Sequence, residues 1–285
     1  MTDSWACFLQ RFSTPWLDAL MLAVTNMGSE MFYILVLPGI YWLWSKRAGY
    51  RIGIVYLGSV YLNGLLKAAF HTQRPVPTDC ARVIHPETGP GYSFPSGHAQ
   101  GSTVFWGQTA IQVKREAMRA FSVVMIALIS LSRIYLNVHW PVDVIGGILI
   151  GLVILRAFNV LSIGWENMRP PTWLRVALII GIPAVLVLVY RDQYSCTVLG
   201  FLIGLPLGSL IAEKRVPWSE RAAPLSQVLK FALGMAGLFG IRYGMKVVLP
   251  ESAICDIARY AVAGLWVSLG APYLFVRLRL SQPSS

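Results

Sequence analysis

Three short polar blocks stand at the ends of long apolar segments, and each contains residue types that suit catalysis. Their members are, in chain order, Lys67, Arg74, Pro75, Pro95, Ser96, Gly97, His98, Ser132, Arg133, His139 and Asp143. Together they supply three cations, two histidines, a carboxylate and a Ser-Gly helix start. Such a set suits a ligand with concentrated negative charge on oxygen, above all a phosphate group.

Each residue also has an ordinary explanation when it is considered alone. Lys67 and Arg74 could extend along apolar surface to reach water, His98 could cap a helix, and Arg133 could anchor a span at the interface. The combination favours the phosphate site, because all three blocks would meet at one face of a membrane. No cluster of carboxylates accompanies them, so the pattern indicates an anion site without a metal.

The start of the third predicted span offers hydrogen-bond donors for this anion. Ser96 and Gly97 begin a helix, so its unpaired backbone N–H groups and the positive end of its dipole can face phosphoryl oxygens. Glycine also allows the backbone to approach the ligand closely. These two residues therefore predict a phosphate contact through the main chain.

The two histidines require separate roles. Trp140 and Pro141 start a span, which places Asp143 in its first turn, where the carboxylate can reach back to a ring N–H of His139. That pairing leaves the other nitrogen free to attack phosphorus. His98 lacks such a partner and suits the general acid that protonates the departing oxygen. The implied reaction is phosphoryl transfer through a phosphohistidine.

The three blocks resemble the signature of the type 2 phosphatidic acid phosphatases, K-x6-RP, PSGH and SR-x5-H-x3-D, at every prescribed position. The resemblance extends over about residues 15 to 163 and implies that His139 is the nucleophile, His98 the acid and Asp143 the orienting carboxylate. It also implies metal-independent catalysis without a cofactor. The phosphate-binding residues that it implies are Lys67, Arg74, Ser96, Gly97 and Arg133.

The composition predicts that a membrane surrounds the elements that position these blocks. The 285 residues are 55% hydrophobic and 13% charged, with a net charge of +11, whereas soluble chains carry about 25% charged residues. This excludes a cytosolic enzyme, a disordered chain and a disulfide-rich mini-domain. The basic residues fall in short clusters between apolar runs, which favours membrane topology over nucleic-acid binding.

The predicted fold is all-α, a polytopic membrane helical bundle of about nine transmembrane helices with a catalytic core and extra C-terminal helices. We expect interfacial helices over 1–27, the catalytic core over 28–163 and a four-helix membrane extension over 164–285. The predicted spans are 29–44, 51–70, 98–113, 118–135, 141–163, 173–190, 196–212, 229–249 and 258–276.

The N-terminal segment is expected to lie on the membrane surface. Trp5, Phe8, Leu9 and Phe12 repeat at helical spacing. The following apolar run, 16–27, opens with Thr14 as N-cap and Pro15 at the first helical position, and it is too short to span comfortably. No basic region or small-residue cleavage site precedes it, so no removable signal peptide is expected.

The distribution of basic residues predicts the orientation. The side with more of them is cytoplasmic by the positive-inside rule. We therefore expect a bacterial inner-membrane protein whose polar blocks face the periplasm or exterior. The predicted cytoplasmic side receives 15 of the 24 Lys and Arg residues, namely Lys46, Arg47, Arg51, Lys114, Arg115, Arg119, Arg156, Arg169, Arg175, Lys214, Arg215, Arg221, Lys230, Arg277 and Arg279.

The four cysteines, Cys7, Cys80, Cys196 and Cys255, are all predicted on the non-cytoplasmic side or at its interface. They are either buried free thiols, or some are joined in an oxidising compartment, with Cys196 and Cys255 as the pair to test.

Two further features concern helix packing. Arg242 and Lys246 lie in an apolar span and form either a structural ion pair, with Glu251 or Asp256 as partner, or a contact to a substrate headgroup. Glycines repeat at i, i+4 spacing, which allows helices to approach closely. The repeats are Gly147/Gly151, Gly200/Gly204/Gly208 and Gly240/Gly244.

The expected activity is hydrolysis of a lipid phosphate or diphosphate, such as undecaprenyl diphosphate, phosphatidylglycerophosphate, phosphatidic acid or a sphingoid phosphate. The expected partners are this substrate and membrane lipids, without nucleic acid, and the oligomeric state stays open. A lipid phosphotransferase is the alternative enzyme, and phosphate release without an acceptor would separate the two. A non-catalytic lipid-binding or transport protein would explain the spans but not the acid and nucleophile. The connection 76–94 is long enough to shape the mouth of the site, and His85 within it is expected to be solvated.

Overall fold

The computed structural model describes residues 4–168 and 170–282. This part of the chain is built of helices with short connections, except for the long connection 71–96 between α4 and α5. Its only β-type pairing is an isolated bridge between Thr78 and Ala81. Arg169, one of the basic residues used to predict orientation, lies outside the described residues. The helices are α1 (Ser4–Gln10), α2 (Pro15–Asn26), α3 (Glu30–Gly39), α4 (Lys46–Phe70), α5 (Gly97–Val113), α6 (Glu116–Tyr135), α7 (Pro141–Met168), α8 (Thr172–Val189), α9 (Gln193–Arg215), α10 (Pro224–Val248), α11 (Ala253–Leu265) and α12 (Ala271–Arg277).

Seven helical segments within these ranges are long and apolar enough to cross a membrane. They are α4, α6, α7, α8, α9, α10 and the continuous segment from α11 to α12, which includes a π-helical turn at Trp266–Gly270. An eighth arises if α2 and α3, with the turn that follows α3, form one span bent by 50°. The predicted all-α membrane bundle is confirmed, and the expected count of nine is approximate.

Two predicted spans account for this difference. The segment predicted at 29–44 meets the length requirement only together with α2, from which it is bent away. Helix α5, predicted as 98–113, has 17 residues, which is the lower end of the length that spans a bilayer. The predicted helix starts are more accurate: the Thr14 hydroxyl accepts a hydrogen bond from Leu17 N, Pro15 begins α2, and Pro141 begins α7.

The chain packs into two compact units. The first unit comprises Met1–Ile34 and Leu62–Leu161, and the second comprises Leu35–Tyr61 and Ser162–Ser285. The division predicted along the sequence, at residues 27 and 163, stays a prediction. In addition, residues 35–61 pack with the C-terminal helices.

In the first unit, α7 packs closely on α5 at the Gly147/Gly151 repeat. A Cβ atom on Gly147 would lie 2.7 Å from the carbonyl oxygen of Ser96, and one on Gly151 would lie 2.8 Å from Cβ of Thr103. The same unit holds a disulfide between Cys7 and Cys80. It ties α1 to the connection after α4, which Gln10 reinforces with hydrogen bonds to the carbonyl oxygens of Arg82 and Tyr135.

The second unit is held together by its own glycine repeat. A Cβ on Gly200, Gly204 or Gly208 would collide with the facing segment that begins at α11, including the carbonyl oxygens of Ile257 and Ala261. The repeat Gly240/Gly244 has open space instead, so the expectation of close packing was wrong there.

Two other expectations about this unit concern its charges and its cysteines. The ion pair expected between Arg242 or Lys246 and Glu251 or Asp256 stays a prediction. Asp256 pairs with Arg259 at 2.8 Å, on its own helix, so Asp256 already has a cationic partner other than Arg242 or Lys246. Cys196 and Cys255 are free thiols. The interpretation as four free thiols was therefore wrong for Cys7 and Cys80. The disulfide between Cys196 and Cys255, which was the pair to test, is not formed.

Candidate active site

All the residues that the sequence singled out for chemistry belong to the first unit, where they lie at helix ends or in connections. Lys67 is in the last turn of α4, and Arg133 is in the last turn of α6. His139 lies between α6 and α7, and Asp143 is in the first turn of α7. Arg74 follows α4, while Ser96, Gly97 and His98 form the start of α5.

Nδ1 of His139 faces a buried polar network. Oδ2 of Asp143 lies 3.4 Å from this nitrogen, and the hydroxyl of Ser93 lies 3.3 Å from it. The Ser93 hydroxyl donates a 2.5 Å hydrogen bond to the same carboxylate oxygen, which also accepts one from the backbone N of Trp140 at 2.8 Å. Asp143 is therefore held firmly, and it orients His139 both directly and through Ser93.

The other ring nitrogen, Nε2, faces the cations. Nη1 of Arg74 lies 3.1 Å from it and also donates a 2.5 Å hydrogen bond to the carbonyl oxygen of Val138. Burial lowers the pKa of Arg74 to about 10, which leaves the guanidinium charged at neutral pH. The two ring nitrogens of His139 thus have opposite surroundings, a carboxylate on one side and a cation on the other.

The electrostatic surroundings keep His139 neutral. Burial, together with the positive charges of Arg74, Arg133 and Lys67, holds the pKa of this histidine well below its ordinary value. The ring is only 3% exposed. A neutral imidazole retains the lone pair that a nucleophile needs.

Lys67, Arg74 and Arg133 all donate hydrogen bonds to residues 88–92, a stretch of the connection between α4 and α5. Lys67 Nζ lies 2.6 Å from the carbonyl oxygen of Tyr92. Arg74 donates to the carbonyl oxygens of Pro90, Gly91 and Tyr92. Since this stretch links the cations, it fixes their relative positions.

Arg133 is fully buried and uses both of its terminal nitrogens. Nη1 donates to the hydroxyls of Thr25 at 2.6 Å and Thr88 at 3.1 Å, and Nη2 donates to the carbonyl oxygen of Thr88 at 2.8 Å. Gly89 permits this arrangement, because a Cβ there would lie 2.7 Å from Nη1 of Arg74 and 3.4 Å from Nη2 of Arg133.

The start of α5 has the predicted helix geometry. Gly97 is its first residue, and the hydroxyl of Ser96 caps it by accepting a 3.4 Å hydrogen bond from Ala99 N. Asn63 supports this turn by donating to the carbonyl oxygen of Pro95 and to the side chain of Gln100. The phosphate contacts expected of Ser96 and Gly97 stay predictions.

His98, the expected acid, packs against a glycine on the turn between α2 and α3. A Cβ on Gly28 would lie 3.0 Å from Cδ2 of the His98 ring. His85 contacts the carboxylate of Glu87 at 2.9 Å, and its side chain is 41% exposed. This exposure agrees with the expectation that His85 is solvated.

Sequence reasoning missed four residues of this site, namely Thr25, Thr88, Gly89 and Ser93. None belongs to the three blocks, and short polar residues in a connection are common. Thr88, Gly89 and Ser93 lie in the long connection 76–94, and the expectation that this connection shapes the mouth of the site was the only signal for them. Thr25 lies in α2, and no signal pointed to it. Within the described residues, no group of three or more His, Cys, Asp or Glu side chains is arranged to hold a metal ion. Metal-independent catalysis stays a prediction.

Two family models match this chain. Residues 48–165 match the family model described as PAP2 superfamily, and residues 196–283 match the model described as PAP2 superfamily phosphatase, transmembrane extension. Phosphatidylglycerophosphatase B of Bacillus subtilis is 26% identical over 153 residues, which cover 49% of this chain and 72% of that protein. A dihydrosphingosine 1-phosphate phosphatase of Schizosaccharomyces pombe is 29% identical over 156 residues, which cover 50% of this chain and only 38% of that protein.

Among solved structures, a transmembrane PAP2-type phosphatidylglycerolphosphate phosphatase from Bacillus subtilis is 24% identical. The similarity covers 60% of this chain and 87% of that one, with a TM-score of 0.49.

Proposed function

Since this chain belongs to the PAP2 superfamily of phosphatases, we propose that it hydrolyses a lipid phosphate through a phosphohistidine intermediate on His139. The observation that carries the proposal is the opposite surroundings of the two ring nitrogens. Nδ1 faces Asp143 and Ser93, whereas Nε2 faces Arg74. A proton on Nδ1 leaves the lone pair of Nε2 directed toward the cations that would hold a phosphate.

In the first step, Nε2 of His139 attacks phosphorus and forms the N–P bond while the bond from phosphorus to the lipid oxygen breaks. The negative charge of the bound phosphate favours the protonated form of His98. His98 gives this proton to the departing oxygen, so a neutral alcohol leaves. Arg74, Arg133 and Lys67 stabilise the charge on the equatorial oxygens. Asp143 stabilises the positive charge that develops on the ring.

In the second step, water attacks phosphorus and the N–P bond breaks. His98 accepts a proton from this water, which restores its acid form, and inorganic phosphate leaves. The pair of steps needs no metal, because side-chain cations supply the positive charge. An acceptor hydroxyl in place of water would give the alternative phosphotransferase.

The substrate class follows from where the site lies. Lys67, Arg133 and Asp143 are at the ends of α4, α6 and α7, which are long and apolar enough to span a membrane. A phosphate at the lipid–water boundary can therefore reach the site while its chain stays among the helices. We propose a lipid phosphate monoester or diphosphate, with phosphatidylglycerophosphate and sphingoid phosphates as first candidates, since the relatives that match this chain carry those names.

The first experiment measures phosphate release from a panel of lipid phosphates by the purified protein in detergent with EDTA. We expect turnover without an added acceptor and inhibition by vanadate, whose trigonal bipyramid resembles the transition state. A strict requirement for Mg²⁺ or Zn²⁺, or phosphate release only with an acceptor lipid, would contradict the proposal.

A second experiment tests the intermediate. His98→Ala should accumulate a phosphoenzyme from a substrate whose leaving group needs no proton, since the first step then proceeds while the second lacks its base. The double variant that also carries His139→Ala should not be labelled. Labelling of the double variant would show that another residue is the nucleophile.

We further propose that the site faces the periplasm or exterior. In a chain with Cys196→Ser and Cys255→Ser, a membrane-impermeant thiol reagent applied to intact cells should label Glu87→Cys but not Ala117→Cys. Both positions are exposed, and Glu87 is preferable to its neighbour Thr88, which binds Arg133. The reverse labelling pattern would place the site on the cytoplasmic side.

A further inference from the structure

The second unit contains a groove of about 410 Å³ between α8 and α9. This volume is within the range of about 300–1,000 Å³ that is usual for ligand sites. Its walls are aliphatic over most of their length, and one end carries two cations. The lining residues are Thr172 and Val176 of α8 and Leu207, Leu210, Ile211, Lys214 and Arg215 of α9.

The side chains of Lys214 and Arg215, at the end of the groove, are exposed. Neither side chain forms an ion pair or hydrogen bond with the described part of the chain. Helix α8 begins at the same end, and its N-cap residue, Pro171, provides no side-chain hydrogen bond. The first N–H groups of α8 therefore add positive potential beside the two cations.

An ordinary role for these cations is to stabilise the C-terminus of α9 and to mark the cytoplasmic side of the membrane. Neither effect requires the cations to line the mouth of an aliphatic groove. The combination of an apolar channel with a cationic end matches a molecule that has a hydrocarbon chain and an anionic head.

The surroundings of α8 point to a lipid as this molecule. Of the 18 residues of α8, only Pro183 is fully buried within the chain, so in a membrane most residues of this helix can contact other molecules. We infer that the groove binds one anionic phospholipid, with an acyl chain along Val176, Leu207 and Ile211 and the phosphate at Lys214 and Arg215. This site lies in the second unit and is separate from the residues proposed for catalysis.

Native mass spectrometry of the purified full-length protein tests the inference, with dioleoylphosphatidylglycerol and dioleoylphosphatidylcholine as probes that share the same chains. Dioleoylphosphatidylglycerol is a phosphodiester without a terminal phosphate, so the readout does not depend on turnover. We expect one phosphatidylglycerol to bind at least about 10-fold more tightly than phosphatidylcholine, as two basic residues near a membrane surface would produce.

The double variant Lys214→Gln/Arg215→Gln should lose this preference. The matched control is Lys114→Gln/Arg115→Gln, which removes the same two charges from another exposed pair, also predicted on the cytoplasmic side. This control should retain the preference for phosphatidylglycerol. Val176→Trp should weaken retention of both lipids, because the indole fills the groove without a change in charge.

Three results would overturn the inference. The first is equal affinity of the wild type for the two lipids, and the second is an equal loss in the control variant. The third is a Val176→Trp variant that binds phosphatidylglycerol as the wild type does, since the charges alone would then be sufficient. A wild-type dimer that Val176→Trp converts to a monomer, without a change in lipid binding, would assign the groove to a second copy of the chain. The thermal midpoint of each variant checks that it is folded.

Discussion

The candidate site in the first unit and the packed helices of the second unit use buried polar side chains differently. In the first unit, Arg133 and Asp143 are fully buried, and they bind other side chains and the connection between α4 and α5. In the second unit, the buried polar side chains mostly end on backbone carbonyl oxygens. Trp42 donates to Val267, Ser268 to Gly264, and the fully buried Lys230 to Glu220, at 2.7, 2.9 and 2.8 Å.

The difference separates catalysis from stability. A network of side chains that bind one another positions reactive atoms, and it is sensitive to the loss of any member. A side chain that donates to a backbone oxygen beside close glycine contacts stabilises the packing of helices. We therefore expect substitutions in the first unit to change turnover more than folding, and substitutions in the second unit to do the reverse.

The largest expected effect is that of His139→Ala. Loss of the proposed nucleophile should lower phosphate release at least about 10⁴-fold, while the thermal midpoint changes little in comparison. His139→Gln is a second variant, because it keeps a polar group beside Arg74 and fills more of the space. Residual turnover above one hundredth of the wild-type rate in both variants would contradict the assignment.

In the second unit, Gly204→Ala should destabilise the fold by about 1–3 kcal/mol, since the new Cβ must push Ala261 and its helix away. Gly244→Ala is the matched control, because its Cβ meets open space. Unfolding in detergent by heat measures stability, and phosphate release per folded molecule measures turnover. If Gly204→Ala also lowered turnover per folded molecule while Gly244→Ala did not, the expected separation of turnover in the first unit from stability in the second would be wrong.

A smaller effect is expected for Ser93→Ala. The hydroxyl of Ser93 positions both His139 and Asp143, so its loss should lower kcat about 10-fold with little change in KM, since it does not bind the substrate. Ser268→Ala removes an equally buried hydroxyl, one that donates only to the carbonyl oxygen of Gly264. This control should leave kcat unchanged. Equal kcat values for the two variants would show that Ser93 does not position His139 and Asp143 for catalysis.

The smallest effect concerns pH. The pKa of His139 is held well below its ordinary value by burial and by nearby cations. The neutral, reactive form therefore persists below pH 6.5, and the acid limb of kcat/KM that belongs to His139 should fall at lower pH. Arg74→Gln removes the cation nearest to Nε2, which should raise this pKa and move the limb to higher pH.

The phosphate of the substrate also titrates near pH 6, but it does so equally for both proteins. The difference between the profiles of the wild type and Arg74→Gln therefore reports on the enzyme. A limb that stays in place in the variant would show that Arg74 does not control the protonation of His139.

The sequence alone determined the apolar segments and the motif residues for which we propose chemical roles. Segment length in a bilayer is a local property, so the starts of α2 and α7 and most spans were predictable. The spacing of Lys67 to Arg74 and of Arg133, His139 and Asp143 is also local, because each group lies within one helix end and its connection. The glycine repeats were visible as well, although their spacing did not distinguish Gly204, which packs, from Gly244, which does not.

The tertiary structure decided which distant residues meet. Thr25 and Thr88 bind Arg133, Ser93 joins His139 to Asp143, and Cys7 bonds to Cys80. These partners are separated from one another by 45 to 108 residues, and short polar residues of this kind occur throughout any chain. Their selection depends on how the helices bring the connections together, because a hydrogen bond forms only when both atoms come within about 3 Å in the folded protein.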